Sequence, residues 1–351
     1  MRLPRRAIHL DFHTLPAVPD VGIDFDADAF ARTLADARVD FITVFAKCNL
    51  GLAYYPTKVG VVHPSLARDL LGEMVEACHA CDIAVAAYFN AGLDHEMALR
   101  HRDWALLGDD GRAYGEDHLD HFFRSMCFAS PWADHLSAMI EEVLTSYPID
   151  GLFLDCWHYG KGCQGYECAA AMRAKGVDPT DPASRVAFQN EAQLDFIRQV
   201  RRLIDEKRPE ATYFLNGIPY DFQLPFASHL DVESLPTGGW SYDNFPWKVR
   251  YLRKRIRHVV GQTGRFHRSW GDFGGLRTQA GLDYDCFQAA SHAAAVCVGD
   301  HMHPRGTLSA EAYRRIGSIY RRLEALEEWT RDANPLTDTA VVASFRGPVS
   351  V

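Results

Sequence analysis

Short apolar runs bounded by turn residues recur along the chain. They are AIHLDFH from position 7, DFITVFAK from 40, IAVAAYFN from 83, DGLFLDCW from 150, TYFLNG from 212, HLDVESL from 229, RFHRSWGDF from 265 and AVCVGD from 295. Each predicts a strand. IAVAAYF and DGLFLD are almost continuously apolar, which suits strands of a parallel sheet covered on both faces. Helical spacing fills the intervals. Leu66, Leu70, Met74, Cys78 and Cys81 share one face, with Pro64 where a first helical position belongs. Ser130 and Pro131 open a second helix whose Leu136, Met139, Ile140 and Val143 form one stripe, and Pro148 closes it. A third runs from about Arg185 to Lys207, its core side drawn from Leu194, Ile197, Val200 and Ile204.

Strand and helix therefore alternate, and eight such repeats predict a (β/α)8 TIM barrel, because parallel strands need covering crossovers and eight of them close without an edge. A doubly wound open sheet would bring a glycine-rich phosphate loop after its first strand, and HLDFHTLPAV contains none. The barrel is expected over residues 1–331, with long insertions at 91–123 and 156–184 on the side where barrel active sites are built. After Trp329 the alternation ends. NPLTDTAVVASF reads as the opening strand of a further element within 332–351, and on this reading the chain is a piece of a longer protein.

Composition narrows the partners. Of 351 residues, 37 are Lys or Arg and 46 are Asp or Glu, a net charge of −9 that leaves no broad basic face for a phosphate backbone. Nucleic acid is not an expected partner. Neither is a membrane, since nowhere do about 18 uninterrupted apolar residues occur. His9, Asp11 and His13 interrupt the N-terminus before a signal-peptide run accumulates, so a cytoplasmic location is expected. The nine cysteines are scattered without framework spacing, as in a reducing compartment. Cys163-x4-Cys168 with Cys156 upstream lacks a second close pair, so free thiols are expected and neither metal nor cofactor is called for.

At the carboxyl ends of the strands stand Asp11 and His13, Lys47 and Cys48, Asn90, Asp155 and Trp157, Asn216, Glu233, Trp270 and Asp272, and Asp300 and His303. So many polar groups at strand ends would be costly to bury in a purely structural barrel, which points to an active site. A carboxylate at Asp155 can attack an anomeric carbon or anchor a hydroxyl or a metal. Glu233 supplies a second carboxyl across the mouth, the pairing that glycoside hydrolysis requires. Asp272 and Asp300 are the reserve candidates for the acid. Trp104, Trp157, Trp240 and Trp270 offer apolar faces on which sugars stack or which fill the core. His9-x-Asp11-x-His13 places three possible metal ligands on one face of a strand, the alternative of an amidohydrolase-type metal enzyme.

Taken together, FAKCNLGLAYYPTKVGVVHPSL, IAVAAYFNAGLD, HRDWALLGDDGR, DGLFLDCWHYGKGC, DVESLPTGGW, FHRSWGDFGGL and GDHMHPRG resemble the family hypothetical glycosyl hydrolase 6 from about Ile8 to Trp329. That family is similar to α-L-fucosidase-type and α-amylase-like barrels. The resemblance implies a glycosidase acting on carbohydrate, with the nucleophile an aspartate closing the fourth strand, here Asp155. The acid/base role carried to Glu233 follows less directly, since its place varies among such barrels. Relatives continue into a domain like the trimerisation domain of family 42 β-galactosidases, which bears on a possible homo-oligomer. They also carry C-x-x-C after the fourth strand, where this chain has C-x4-C. The expected function is retaining glycoside hydrolysis, with His13, Asn90, Asn216, His267 and His303 holding sugar hydroxyls. A catalytically silent carbohydrate-binding barrel is a further alternative.

Overall fold

The structure is a computed structural model and describes residues 1–114, 123–331 and 333–340. Its barrel strands are β1 (Arg6–Asp11), β2 (Phe41–Lys47), β5 (Ala84–Asn90), β6 (Gly151–Asp155), β7 (Thr212–Leu215), β8 (Leu230–Glu233), β9 (Val259–Gly264) and β10 (Ala295–His301). Two-residue strands β3 (Leu52–Ala53) and β4 (Val61–Val62) lie in the loop after β2. The barrel order is β7-β6-β5-β2-β1-β10-β9-β8, with every pairing among these strands parallel. No ladder joins β7 to β8 in that order. Ser228 bridges them at one point, donating its N–H to Tyr213 O and accepting Tyr213 N–H on Oγ, both at 2.9 Å. The predicted (β/α)8 barrel is thus formed, nearly closed.

Helices cover the outside: α1 (Ala27–Asp36), α2 (Leu70–Ala80), α3 (His95–Arg100), α4 (Trp132–Ser146), α5 (Tyr166–Ala174), α6 (Pro182–Lys207), α7 (Tyr220–Gln223), α8 (Asn244–Leu252), α9 (Gln279–Ser291) and α10 (Ala310–Thr330). Their starts are chemically marked. Asp26, Asp69, Asp94, Asp181, Thr278 and Ser309 each accept an N–H of the first turn, worth about 1 kcal/mol per cap. α2 accordingly begins at Leu70, after the Asp69 cap, and not at Pro64. The main core lies between barrel and helices, where Ile8, Ile42, Val85, Leu152 and Val298 meet Leu34, Leu71, Ile140, Ile197 and Ile316. A second, small cluster of Ala7, Phe41, Ala84, Ala86, Val260 and Cys297 fills the barrel floor.

One strand falls elsewhere than expected. The seventh strand is Val259–Gly264, and RFHRSWGDF lies wholly in the loop that follows it, so Trp270 and Asp272 are loop residues. Of the tail, residues 333–340 form no strand, and the remainder of the expected strand lies outside the described residues. The GDDGR segment folds as a tight turn, with Gly108 N–H donating to Arg112 O at 2.8 Å and Gly111 at φ +73°. No described helix is long and apolar enough to cross a membrane.

Candidate active site

Side chains alternate in and out along each strand, so one parity of every strand end converges on the mouth. From β6 this brings Asp155, from β7's end Asn216, from β8 Glu233, from β5 Tyr88 and Asn90, and from β1 His9 and Asp11. Asn216 Nδ2 donates to Asp155 Oδ1 and to Glu233 Oε2, both at 3.1 Å. The two carboxylates therefore share one donor, and their bonded oxygens lie no more than twice that distance apart. Tyr88 OH donates to the other oxygen of Asp155 at 2.8 Å, and Cys156 N–H to Oδ1 at 2.8 Å. The latter bond depends on Cys156 taking φ +64°, a left-handed conformation unusual for a side-chain-bearing residue. Opposite it, a Cβ on Gly92 would fall 1.8 Å from Cys156 O, so the two loops approach as only glycine permits.

Burial raises the Glu233 carboxyl to about 7, aided by the charge of Asp155 and opposed by the hydrogen bond from Asn216. Beneath it on the same inward face, burial and the charge of Glu233 push Asp231 well above the usual carboxylate range. Burial lowers the adjacent His229 to about 3, and its Nε2 lies 3.4 Å from Asp231 Oδ1. Asp11 behaves oppositely. Burial pushes it up, but the hydrogen bond and charge of His9, at 3.2 Å, outweigh this and hold it below the usual range. His9 also meets Tyr88, Phe153 and Trp270 by ring contacts at 5.6, 4.7 and 5.9 Å.

The other predicted residues divide. His13 is exposed at the rim, 4.8 Å from the Phe45 ring, and Trp270 lies over Gly299, where a Cβ would meet the indole at 2.5 Å. Asn90 is buried, its amide donating to Tyr88 OH and Cys156 Sγ while Oδ1 accepts Leu93 N–H, so its bonding capacity is taken up inside the protein. Trp157 is buried and stacks on Phe128 at 5.3 Å, with Nε1 unpartnered. Trp104 stacks on His101 at 3.9 Å. Trp240 is half-buried, and His267 and His303 are exposed. Asp272 Oδ2 accepts Arg268 N–H at 3.1 Å, bracing its own loop. Asp300 faces away from the mouth: its neighbours Gly299 and His301 take the inward positions, while it is fully buried and bonded to Arg265 Nε at 2.7 Å. That ion pair removes it as a reserve acid.

The sequence reading passed over Tyr88, whose inward parity with Asn90 was its one signal, and His301, which follows Asp300 on the correct face. His301 Nε2, His9 Nδ1 and Asp11 Oδ2 are buried polar atoms without partners. Among the described residues, His9, Asp11 and His13 do not gather as a metal-ligand group, whereas Cys127, Cys163 and Cys168 do.

Residues 26–156 match the family model described as hypothetical glycosyl hydrolase 6. The predicted resemblance holds. Among solved structures, α-L-fucosidase isoenzyme 2 from Paenibacillus thiaminolyticus is 34% identical with a TM-score of 0.90, over 96% of this chain and 52% of that one. Isoenzyme 1 from the same organism is 16% identical at a TM-score of 0.58, over 89% of this chain and 66% of that one. A family 29 α-L-fucosidase from Bacteroides thetaiotaomicron is 13% identical at 0.56, over 87% and 61%; likenesses this distant bear on the fold alone. The chain spans about half the length of isoenzyme 2. No curated protein matches it in sequence.

Proposed function

We propose that the protein is a retaining glycoside hydrolase in which Asp155 is the nucleophile and Glu233 the general acid and then base. The observation that carries this is the Asn216 amide bonded to both carboxylates at 3.1 Å. Twice that distance bounds the gap between the two bonded oxygens, a spacing compatible with the ~5–5.5 Å between carboxyl groups that direct attack needs. Tyr88 OH and Cys156 N–H donate to Asp155 and fix the orientation of its carboxylate towards the pocket. Glu233, near 7, holds a proton to give the leaving oxygen at neutral pH and can take one back from water in the second step.

Asp155 attacks the anomeric carbon as Glu233 protonates the departing oxygen. Water, deprotonated by Glu233, then displaces Asp155 and restores both groups. The unpartnered atoms of Asp11, His9 and His301 would receive bonds from sugar hydroxyls. Trp270 would stack on the sugar, and His13 at the rim would contact it from the solvent side. The likeness to isoenzyme 2 makes an α-L-fucoside the first substrate to try. A panel of nitrophenyl glycosides should give turnover on the fucoside, reduced at least about 10³-fold in Asp155→Asn. Turnover in that variant within about tenfold of the unaltered chain would contradict the nucleophile assignment.

A further inference from the structure

Outside the carboxylate pocket, three segments meet at sulfur. Cys127 precedes α4, Cys163 lies in the loop after β6, and Cys168 is in α5, and their sulfur atoms all lie within 4.8 Å of one another. All three are buried, packed with Leu106 and Met172 in a small cluster of their own. Gly165 N–H donates to Cys163 Sγ at 3.3 Å, and a Cβ at Gly165 would come 3.2 Å from that sulfur, so the turn is shaped around it. From α6, the fully buried Gln189 aims its side-chain amide at the group, with its nitrogen 2.9 Å from Cys127 Sγ and 3.1 Å from Cys168 Sγ. The same amide leaves Oε1 buried without a partner.

A buried thiol kept for packing behaves as a small apolar side chain and has no need of converging sulfurs or a polar amide. Cys48, Cys78, Cys286 and Cys297 are buried too, and among the described residues none joins such a group. Three sulfurs around one point are the donor set of a thiophilic cation. The amide nitrogen sits closer to two sulfurs than an atom of sulfur's radius ordinarily accepts. Amide oxygen and nitrogen exchange places on a half-turn of the side chain, which would bring the orphaned Oε1 to the same point as a fourth, oxygen donor.

We propose that Cys127, Cys163 and Cys168, completed by Gln189 Oε1, bind one zinc ion. The three thiol protons leave as the ion enters, so that thiolates hold it. With three sulfurs and an oxygen in a buried site, the ion is structural. It clips together the segments that wall the pocket, since Cys127 adjoins Phe128, whose ring stacks on Trp157, and Cys163 lies in the loop that leaves Asp155. On this proposal these three would be exceptions to the free thiols expected from the sequence.

The test uses the whole chain, purified without chelator or metal affinity resin and dialysed before elemental analysis. About one zinc per chain is expected, and exchange for Co(II) should give strong thiolate-to-cobalt charge-transfer absorption in the near ultraviolet. Cys163→Ser should retain less than about a tenth of an equivalent, while Cys297→Ser, outside the cluster, retains it all. Gln189→Ala should bind zinc at least about tenfold more weakly, and unchanged affinity would overturn its place as the fourth ligand. Should Cys163→Ser fail to fold, the cobalt spectrum of the unaltered chain still decides. Reduced protein that takes up no zinc from excess, a cobalt form lacking thiolate bands, or a disulfide between two of the three in freshly isolated protein would overturn the proposal.

Discussion

Asn216 holds two carboxylates at one amide, and the difference between their surroundings separates their proposed roles. Glu233 is buried with Asp155 as a like-charged neighbour, and its carboxyl rises to about 7. As the general acid it must be protonated in the free enzyme. The kcat/KM for a poor leaving group should therefore fall about tenfold per pH unit above 7, and Glu233→Gln should abolish that limb together with most of the rate. The same shift bears on stability. The folded carboxyl, near 7, holds its proton above the ordinary 4.5, so unfolding free energy falls as pH rises through that window and the loss is complete above it. Glu233→Gln should accordingly be more stable than the unaltered chain by about 1–3 kcal/mol at pH 8 and closely similar at pH 4, as urea unfolding at the two pH values will show. Asp155 and Glu233 were legible in the sequence because each ends an apolar run. Asp300 ends one too, but AVCVGD is built of small residues without alternation, so its parity could not be read; Arg265 claims it on the outer face.

Among the elements, strands rich in bulky apolar residues announced themselves and the one that needed space did not. β9 reads VVGQTG. A Cβ at Gly261 would meet Phe245 and Ala289 at 2.8 Å, and one at Gly264 would meet Phe266 at 2.6 Å, so close packing imposed the glycines that hid the strand. The aromatic run beside it looked more like a strand and instead folds as the loop carrying Trp270. Ser130 and Pro131 marked the start of α4, a local signal, whereas Pro64 misplaced that of α2, whose cap is Asp69. Cys127 could not be paired with Cys163 and Cys168 from spacing, since it arrives from a different βα segment. One long-range device ties such segments together. Lys47, fully buried at the end of β2, bonds to Asn90 O and Leu93 O at 2.9 and 3.1 Å and pairs with the buried Asp94 at 3.0 Å, which in turn caps α3. Lys47→Met would strand the Asp94 charge and should cost about 3–5 kcal/mol in urea unfolding, with a loss near zero contradicting this coupling.

Over the whole molecule, the barrel follows from alternation alone: parallel strands demand helical crossovers, and their carboxyl ends gather whatever polar groups the sequence places there. The geometry of the gathering was beyond the sequence, because a shared Asn216 amide is a contact between strands that only closure creates. The chain's likeness to isoenzyme 2, over about half of that protein, supplies the sugar to try first. The central claim is that Asp155 forms a covalent bond to the sugar with Glu233 as its acid partner. The most direct measurement is to incubate the protein with 2-deoxy-2-fluoro-α-L-fucosyl fluoride, whose fluorine slows release of the glycosyl-enzyme, and to map the adduct by peptide mass spectrometry. One fluorofucosyl group on the peptide containing Asp155, absent in Asp155→Asn, is the result expected. An adduct on a different carboxylate, or α-L-fucoside hydrolysis with inverted configuration and no adduct, would contradict it.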